Sequence, residues 1–539
     1  MPENVAGSTA PLVRAGEWLS MRQVIQEILN DTPEPRIAFA ISGGGATGAY
    51  EAGAIEAWLR CLASDFPGKG DVLQPQFILG SSAGALNATT LLVQRLRPKA
   101  GAAFGFNVWT AISPRSAGFV VGWRRSALVD LATRWVKMPW PILLLGVAVL
   151  LAAFLLLVNP VLTSLFLRQL PLASGLAALI AAHPLGASTA SAVGSIAVVL
   201  VLAFLFHRSA FRNRDLKRTI ANVLTGRVDP KSGRVTGSLL RASCNIEDCA
   251  ESLVRAWWNP ESGTRRPNFI VTTTDLSGTG DNLFTLVEPE VYARLADHGW
   301  QVMQASPDGG TIGDYTSLSG RCGWVKARDF VTCVVASTSI PGVFPSQRIT
   351  LHSTNGSDAV EHDFVDGGVL NNSPIHIAMD AGATHVISFE LDPLRQHDTF
   401  QYLAEGDEPS LGRNLIQTFE TLVSHSTSQG IHTASAWNRE LVSVGAGDPK
   451  KRLVPIFRFA PRRRELNLID FNGHYASAFS RARPTLEGWL NQGLLDASTE
   501  RLFWRATFQA DPTSSSVAGP AGGAASATMP SGSPDLSRS

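Results

Sequence analysis

The sequence predicts an α/β fold with three layers, in which helices cover both faces of a mainly parallel β-sheet. Two short apolar runs, RIAFAIS from Arg36 and QFILG from Gln76, are typical of buried strands. Each is followed by a turn rich in small residues and then by a stretch with helical periodicity. This repetition of strand, turn and helix favours parallel strands whose connecting helices pack on the sheet.

Further helices and strands follow from the same patterns along the chain. A helix is expected at 18–29, where apolar residues recur at helical spacing: Leu19, Val24, Ile25, Ile28 and Leu29. Helices are also expected from Ala46, in ATGAYEAGAIEAWLRCLA, and from Ser81, in SSAGALNATTLLVQRL. Further strands are expected in the apolar runs NFIVTTTDL, DFVTCVVAST and THVISFEL.

Composition excludes some classes of function. Lys and Arg total 46 against 45 Asp and Glu, so the net charge gives no general attraction to nucleic acid, and we expect no such partner. Five scattered cysteines, an odd number, argue against a disulfide framework. Cys244 and Cys249 could form half of a metal site, but no second Cys or His pair has ligand spacing. We therefore predict no metal and no cofactor.

The chain divides into regions of different composition. These are an N-terminal helical extension (1–35), the first part of the α/β domain (36–137), a hydrophobic insertion (138–207), the second part of the domain (208–400), a mostly helical C-terminal region (401–510) and a tail predicted to be disordered (511–539). The basic cluster PRRR at 461–464 is typical of a solvated face and could also contact anionic lipid headgroups.

The hydrophobic insertion predicts a transmembrane hairpin. Between Met138 and His207, Arg168 is the only Lys, Arg, Asp or Glu, and the apolar stretches 140–158 and 187–206 each match the roughly 20 residues that a helix needs to span a bilayer. A pair of buried core helices is the alternative. The segment around Arg168 and Pro171 favours a re-entrant or interfacial position over a third span.

Charges that flank the insertion predict its orientation. Basic residues lie on both sides of it: Arg124, Arg125, Arg134 and Lys137 before, and Arg208, Arg212, Arg214, Lys217 and Arg218 after. Both flanks, and with them the α/β domain, are therefore expected on the cytoplasmic side. Two crossings also keep both parts of the domain on one side of the membrane.

The segment FILGSSAGALNA predicts a nucleophile elbow. It contains G-x-S-x-G as Gly80, Ser81, Ser82, Ala83 and Gly84, between a predicted strand and a predicted helix. Small flanking residues permit the sharp turn that lifts the serine hydroxyl out of the sheet. Ser82 would lie at a helix N-terminus, whose partial positive charge favours a developing alkoxide.

The segment SGGGATGAY, from Ser42 to Tyr50, predicts an anion-binding loop. Consecutive glycines let backbone N–H groups converge on one point, either as a phosphate cradle or as an oxyanion hole. A P-loop is excluded because the required Lys is missing. Gly43, Gly45 and Gly48 fit the spacing of a dinucleotide-binding fingerprint, which stays an alternative. The serine elbow that follows favours the oxyanion hole.

The segment HDFVDGGVLNNSP places Asp366 at the end of a short apolar strand, before Gly367 and Gly368. On its own, an Asp before two glycines is typical of a turn. Together with the two preceding motifs, it becomes a candidate catalytic residue.

A Gly-rich loop, then G-x-S-x-G, then D-G-G, in this order, resembles the patatin-like phospholipase family. Three further stretches resemble the family: VTTTDLSGTG from Val271, ASTSIPGVFP from Ala336 and LNNSPIHIAMDAGATHVISFEL from Leu370. The resemblance implies an α/β/α fold and a Ser-Asp dyad without a catalytic histidine or metal. It implies Ser82 as nucleophile, Asp366 as base and Gly43, Gly44 and Gly45 as the oxyanion loop. Thr47 departs from the family, which usually has Arg or Lys there.

The function that follows is a membrane-associated serine lipid acyl hydrolase, acting on lipid esters such as phospholipids or lysophospholipids. Alternatives are a lipid acyltransferase, or a catalytically silent scaffold or lipid-binding protein with the same fold. A Ser-His-Asp triad would need His385 or His425 to supply the imidazole. The sequence indicates no particular protein partner.

Overall fold

The chain forms a mixed α/β structure, as the sequence predicts. The computed structural model describes residues 17–45, 48–96, 109, 217, 220, 245–260, 265–277, 280–307, 322–341, 344–354, 359–390, 425–427, 429–438, 453–459 and 486–506. The predicted hairpin at 140–158 and 187–206, the cluster at 461–464, the tail at 511–539 and Thr47 lie outside these residues. Within them, no helix combines the length and the apolar character that crossing a bilayer requires.

Twelve strands of the described residues form one sheet. They are β1 (Trp18–Leu19), β2 (Ile37–Ile41), β3 (Phe77–Gly80), β4 (Asn268–Asp275), β5 (Gly280–Leu286), β6 (Gln301–Ser306), β7 (Cys322–Lys326), β8 (Gln347–Ser353), β9 (Ala359–Asp366), β10 (His385–Phe389), β11 (Ile456–Phe459) and β12 (Phe503–Arg505). Their order is β1-β12-β11-β10-β2-β3-β4-β5-β6-β7-β8-β9. Helices of the described residues include α1 (Met21–Asp31), α2 (Gly48–Asp65), α3 (Gly70–Leu73), α4 (Ala83–Leu96), α5 (Ile246–Trp258), α6 (Pro289–Asp297), α7 (Phe330–Ser337), α8 (Ile375–Asp380) and α9 (Leu486–Thr499).

The sheet is mixed rather than mainly parallel, which corrects the sequence-based expectation. One part, which we call the open half, runs from β11 through β10, β2 and β3 to β4, and its strands are all parallel. The other part, the closed half, runs from β4 to β9 and contains the antiparallel pairs β4/β5, β7/β8 and β8/β9. Strand β9 then pairs back onto β4, so the closed half forms a barrel-like ring.

Because the ring closes, the C-terminal ends of β3 and β9 lie close to each other beside β4. Strand β3 pairs with the first residues of β4 and ends where Gly80 lies opposite Val271. Strand β9 arrives from the other direction and ends where Asp366 lies opposite Thr273. Because both strands lie on the same side of β4, with only Thr272 between these two pairings, the chain segments that follow β3 and β9 emerge next to each other.

Both faces of the open half are buried, because side chains alternate between two hydrophobic clusters. Phe39 of β2 belongs to one cluster, which contains residues of α1, α2, α4, α5, α7 and α9. Ala38 and Ala40 belong to the other, which contains residues of α6 and α8. Period-two alternation sends successive side chains to opposite faces of a sheet. Helices therefore cover the open half on both sides, as the alternation of strands and helices predicted.

Two predicted elements differ from the structure. DFVTCVVAST forms helix α7 instead of a strand, because a short run that is buried on all sides carries no visible period of either kind. The first helix begins at Met21, after the short strand β1. Its start is set by a capping box, in which the Ser20 side chain accepts from the Gln23 N–H and the Gln23 side chain accepts from the Ser20 N–H.

The C-terminal region contributes strands as well as helices to the domain. Strand β11 pairs with β10, and β12 joins it to β1 of the N-terminal region. Helix α9 packs against α2, where a Cβ on Gly53 or on Gly493 would collide with the backbone of the facing helix. The described parts of 401–510, which the sequence suggested were mostly helical, therefore complete the sheet and cover the helix that follows the glycine loop.

Candidate active site

Ser82 lies in a strained turn between β3 and α4. Its φ of +50° is the only positive φ of a non-glycine residue in the described part of the chain. This left-handed conformation costs free energy for a residue with a Cβ and persists where the surrounding structure enforces it. The G-x-S-x-G segment thus has the strand, turn and helix arrangement of a nucleophile elbow.

Close backbone packing explains the two glycines that flank the turn. A Cβ at Gly84, in the first turn of α4, would collide with the carbonyl groups of Ile41 and Ser42 at the end of β2. A Cβ at Gly80 would collide with the backbone of Gly84. Only hydrogen fits at either position, and this holds the N-terminus of α4 against the ends of β2 and β3.

Asp366 is the last residue of β9 and begins the following turn. Its Oδ1 accepts a hydrogen bond of 2.7 Å from the Gly368 N–H, which caps the short 3-10 turn Gly367–Val369. A Cβ at Gly367 would collide with Thr272 of β4, so glycine permits the chain to pass closely over that strand. The D-G-G sequence is therefore a turn, as its composition suggested, and it also fixes the direction of the carboxylate.

The hydroxyl of Ser82 and the carboxylate of Asp366 are in direct contact. Ser82 Oγ donates a hydrogen bond of 2.6 Å to Asp366 Oδ2, although 284 residues separate the two in sequence. Both side chains are buried. Burial raises the pKa of Asp366 to about 7, while the hydrogen bonds from Ser82 and Gly368 oppose that rise. A carboxylate with a pKa near neutrality can both accept and return a proton.

The segment at the end of α7 forms hydrogen bonds with the backbone of both Ser82 and Asp366. Ser337 Oγ accepts a hydrogen bond of 3.1 Å from the backbone N–H of Ser82, and the Ser339 carbonyl accepts one of 3.0 Å from the backbone N–H of Asp366. Ser337 and Ser339 are completely buried. Two residues of one segment therefore fix the separation between the turn at Ser82 and the end of β9.

The glycine loop begins directly after β2, beside Ser82. A Cβ on Gly43 would collide with Ser82 Cβ and with Asn372 Oδ1. The Gly43 N–H donates to Asn372 Oδ1 at 3.0 Å and to the Asn372 carbonyl at 3.3 Å. This N–H is therefore engaged within the protein, which the sequence-based assignment of Gly43 to the oxyanion loop did not foresee. Gly45 has a φ of +56°, so the chain turns sharply before α2.

Helices α2 and α4 begin next to each other at the site. A Cβ at Gly48, the first residue of α2, would lie 2.8 Å from the Cβ of Ala83, the first residue of α4. Both N-termini direct partial positive charge towards Ser82 and the glycine loop. Behind them, Asn87 accepts a hydrogen bond from Trp109 Nε1 and donates to the Gly48 carbonyl, which ties α4 to the start of α2.

Neither histidine suggested for a triad contacts the Ser82–Asp366 pair. His385 begins β10 and is paired with Ile37 at the start of β2, whereas Ser82 follows the opposite end of the parallel strands. Its ring lies 3.1 Å from Asp31. His425 is exposed, while Ser82 and Asp366 are buried. The geometry brings together Ser82, Asp366 and Gly43 and leaves both histidines apart from them.

For three residues of the site, the sequence predicted no role: Ser337, Ser339 and Asn372. They lie in ASTSIPGVFP and LNNSP, two stretches that the resemblance had singled out. Their positions in those stretches were the available signal. Which atoms they contact depends on long-range packing that no local pattern encodes.

Comparisons with known proteins agree with the motifs. A family model described as patatin-like phospholipase matches residues 39–379, well over half of the chain. No curated protein matches. Among solved structures, VipD from Legionella pneumophila is similar at 14% identity with a TM-score of 0.28, over 86% of this chain and 68% of that one, a likeness too weak to support an argument. The family match alone carries the conclusion that this chain belongs to the patatin-like phospholipase family.

Proposed function

We propose that the protein is a serine lipid acyl hydrolase that uses Ser82 as nucleophile and Asp366 as its base. Family membership supports lipid hydrolysis in general. The dyad is supported chiefly by one observation, the 2.6 Å hydrogen bond from a strained, buried serine to a buried carboxylate. A pKa near 7 suits a carboxylate that acts as a general base at neutral pH.

In the first half of the reaction, Ser82 Oγ attacks the ester carbonyl carbon and its proton passes to Asp366. The carbonyl oxygen becomes an oxyanion beside the glycine loop and the N-termini of α2 and α4. The glycine loop Gly43–Gly45, which follows β2 beside Ser82, is the proposed source of the backbone donors. The intermediate collapses, and the leaving alkoxide takes the proton from Asp366.

In the second half, water attacks the acyl group on Ser82 while Asp366 accepts a proton from that water. Collapse of the second tetrahedral intermediate releases the fatty acid and returns the proton to Ser82 Oγ. The carboxylate is thus unprotonated at the start and at the end of each cycle. Phospholipids or lysophospholipids are the substrates that we propose.

A serine-reactive phosphonate probe tests this proposal. The full-length wild type should be labelled at Ser82, and Ser82→Ala should lose both labelling and release of fatty acid from phospholipid. Ser81→Ala is the matched control, because Ser81 is equally buried and its hydroxyl has no hydrogen-bond partner in the described residues. A silent scaffold would stay unlabelled, and an acyltransferase would transfer the acyl group to an added alcohol acceptor.

We further propose that segments 140–158 and 187–206 anchor the protein in a membrane. Their apolar length supports this. The sheet supports an even number of crossings, because β3 and β4 are neighbours although the insertion lies between them in sequence. Resistance of the full-length protein to carbonate extraction, lost on deletion of 138–207, would support the proposal. Extraction of the intact protein would contradict it.

A further inference from the structure

The Asn372 side chain forms hydrogen bonds with both the N–H and the carbonyl of Gly43. Its Oδ1 accepts from the Gly43 N–H at 3.0 Å, and its Nδ2 donates to the Gly43 carbonyl at 2.9 Å. Nδ2 also donates to Thr427 Oγ1 at 2.7 Å, and the Asn372 backbone N–H donates to Ser426 Oγ at 2.9 Å. Asn372 is itself buried. Its amide plane is therefore fixed by partners on both sides.

The position of Asn372 connects the three motifs of the site. It follows Asp366 by six residues on the D-G-G segment. A Cβ on Gly368 would lie 2.6 Å from Asn372 Oδ1, and a Cβ on Gly43 would collide with that oxygen and with Ser82 Cβ. The first glycine of the loop thus lies in close contact with both the amide and Ser82, with no room for a side chain at position 43.

We propose that Asn372 is a positioning residue that holds the glycine loop in its oxyanion-binding conformation. This inference rests on the proposed function. By pinning both the N–H and the carbonyl of Gly43, the amide fixes the peptide planes on each side of this residue, and so the direction in which the following N–H groups point. Donors that are fixed before the reaction stabilise an oxyanion without reorganising when the charge develops.

The chemistry of the contact requires an amide. Asparagine offers an acceptor and a donor on one short planar group, so it can match the N–H and the carbonyl of a single residue. An aspartate has the same shape, but when ionised it can only accept, and it would place a negative charge against the Gly43 carbonyl. A protonated aspartate can donate again.

The test compares Asn372→Ala and Asn372→Asp with wild type on a soluble ester. Asn372→Ala should lower kcat by roughly 10- to 100-fold and leave KM within about twofold, because the oxyanion exists only in the transition state. The ratio of Asn372→Asp to wild-type kcat should fall about tenfold or more as pH rises from about 5 to 8, since ionisation removes the donor. Asp366 titrates in both proteins, so the ratio removes the part of the pH dependence that the two proteins share.

Asn371→Ala is the matched control, because this neighbouring asparagine is also buried but its amide reaches His376 instead of the loop. It should keep kcat within about threefold, as expected for a residue with no contact to the reacting groups. Unchanged kcat in Asn372→Ala, a ratio for Asn372→Asp that does not vary with pH, or failure of both Asn372 variants to fold would overturn the positioning role. If the wild type showed no Ser82-dependent ester hydrolysis, the proposed function itself would be overturned instead.

Discussion

The open and closed halves of the sheet contribute to the site in different ways. In the open half, Ser82 and the glycine loop each follow a parallel strand directly and precede a helix, so local sequence determines their positions. In the closed half, Asp366 reaches the site because β9 returns to pair with β4, 93 residues earlier in the chain at Thr273. The proposed nucleophile is thus positioned by a local turn, and its proposed base by ring closure.

This difference indicates where the site is vulnerable. Strain concentrates at Ser82, whose φ is positive, whereas Asp366, the last residue of β9, has a negative φ of −49° and a ψ of 128°. Disturbing the open half should move the serine, and disturbing the closed half should move the carboxylate. The segment Ser337–Ser339, which bonds to both, fixes the two halves relative to each other.

Gly84→Ala should have the largest effect, because the added methyl group would collide with backbone carbonyls of Ile41 and Ser42. We expect a loss of about 3 kcal/mol in the free energy of unfolding and of about 100-fold or more in kcat/KM, since displacing a reacting group by about 1 Å has such an effect. Denaturant unfolding and ester hydrolysis measure both. Gly70→Ala is the control, because its Cβ would meet no atom within 4 Å. If Gly84→Ala and Gly70→Ala had the same free energy of unfolding and the same kcat/KM, the packing argument would be wrong.

Lowering the pH should reduce the proposed hydrolase activity by protonating Asp366. With a pKa of about 7, the ionised fraction and therefore kcat/KM should be roughly tenfold lower at pH 6 than on the alkaline plateau. Stability changes in the opposite direction, because a pKa raised from 3.8 by burial means that ionisation opposes folding as pH rises towards 7. A pH profile of kcat/KM on a neutral ester is the measurement. A midpoint near pH 4, close to the ordinary value for an aspartate, would contradict the raised pKa of Asp366.

Ser337→Ala should have a smaller effect, because it removes only the acceptor of the Ser82 N–H. Leaving that buried N–H unpaired should reduce kcat about fivefold, equivalent to about 1 kcal/mol. Ser339→Ala should change kcat less, since Ser339 holds Asp366 through its backbone carbonyl, which the substitution keeps. The opposite ranking of these two kcat values would argue against this connection between the halves.

Local patterns predicted much of the open half. The strands β2 and β3, the helices α2 and α4 and the turn at Ser82 all follow from apolar runs, glycine spacing and helical periodicity. Position 366, in the closed half, was singled out only together with the two preceding motifs, because D-G-G on its own predicted a turn. Burial on both faces of the sheet also followed from the alternation of strands and helices.

The closed half was less predictable, because its arrangement depends on pairings between distant strands. Helix α7 was expected to be a strand, since its apolar residues lie in a fully buried run. The return of β9 to β4 has no local signal, and the bonds of Gly43 to Asn372 join residues 329 positions apart. Sequence therefore identified the groups at the site but not the contacts that orient them.

The rate at which a phosphonate probe labels Ser82 in Asp366→Asn tests the central claim most directly. This variant keeps the shape of the side chain and removes its basicity, so we expect the second-order rate constant to fall by about 10²- to 10⁴-fold at pH 8. Asp363→Asn, on the same strand, removes only an exposed ion pair with Arg348 and should label at the wild-type rate. Labelling of Asp366→Asn within about threefold of wild type would contradict the assignment of Asp366 as the base.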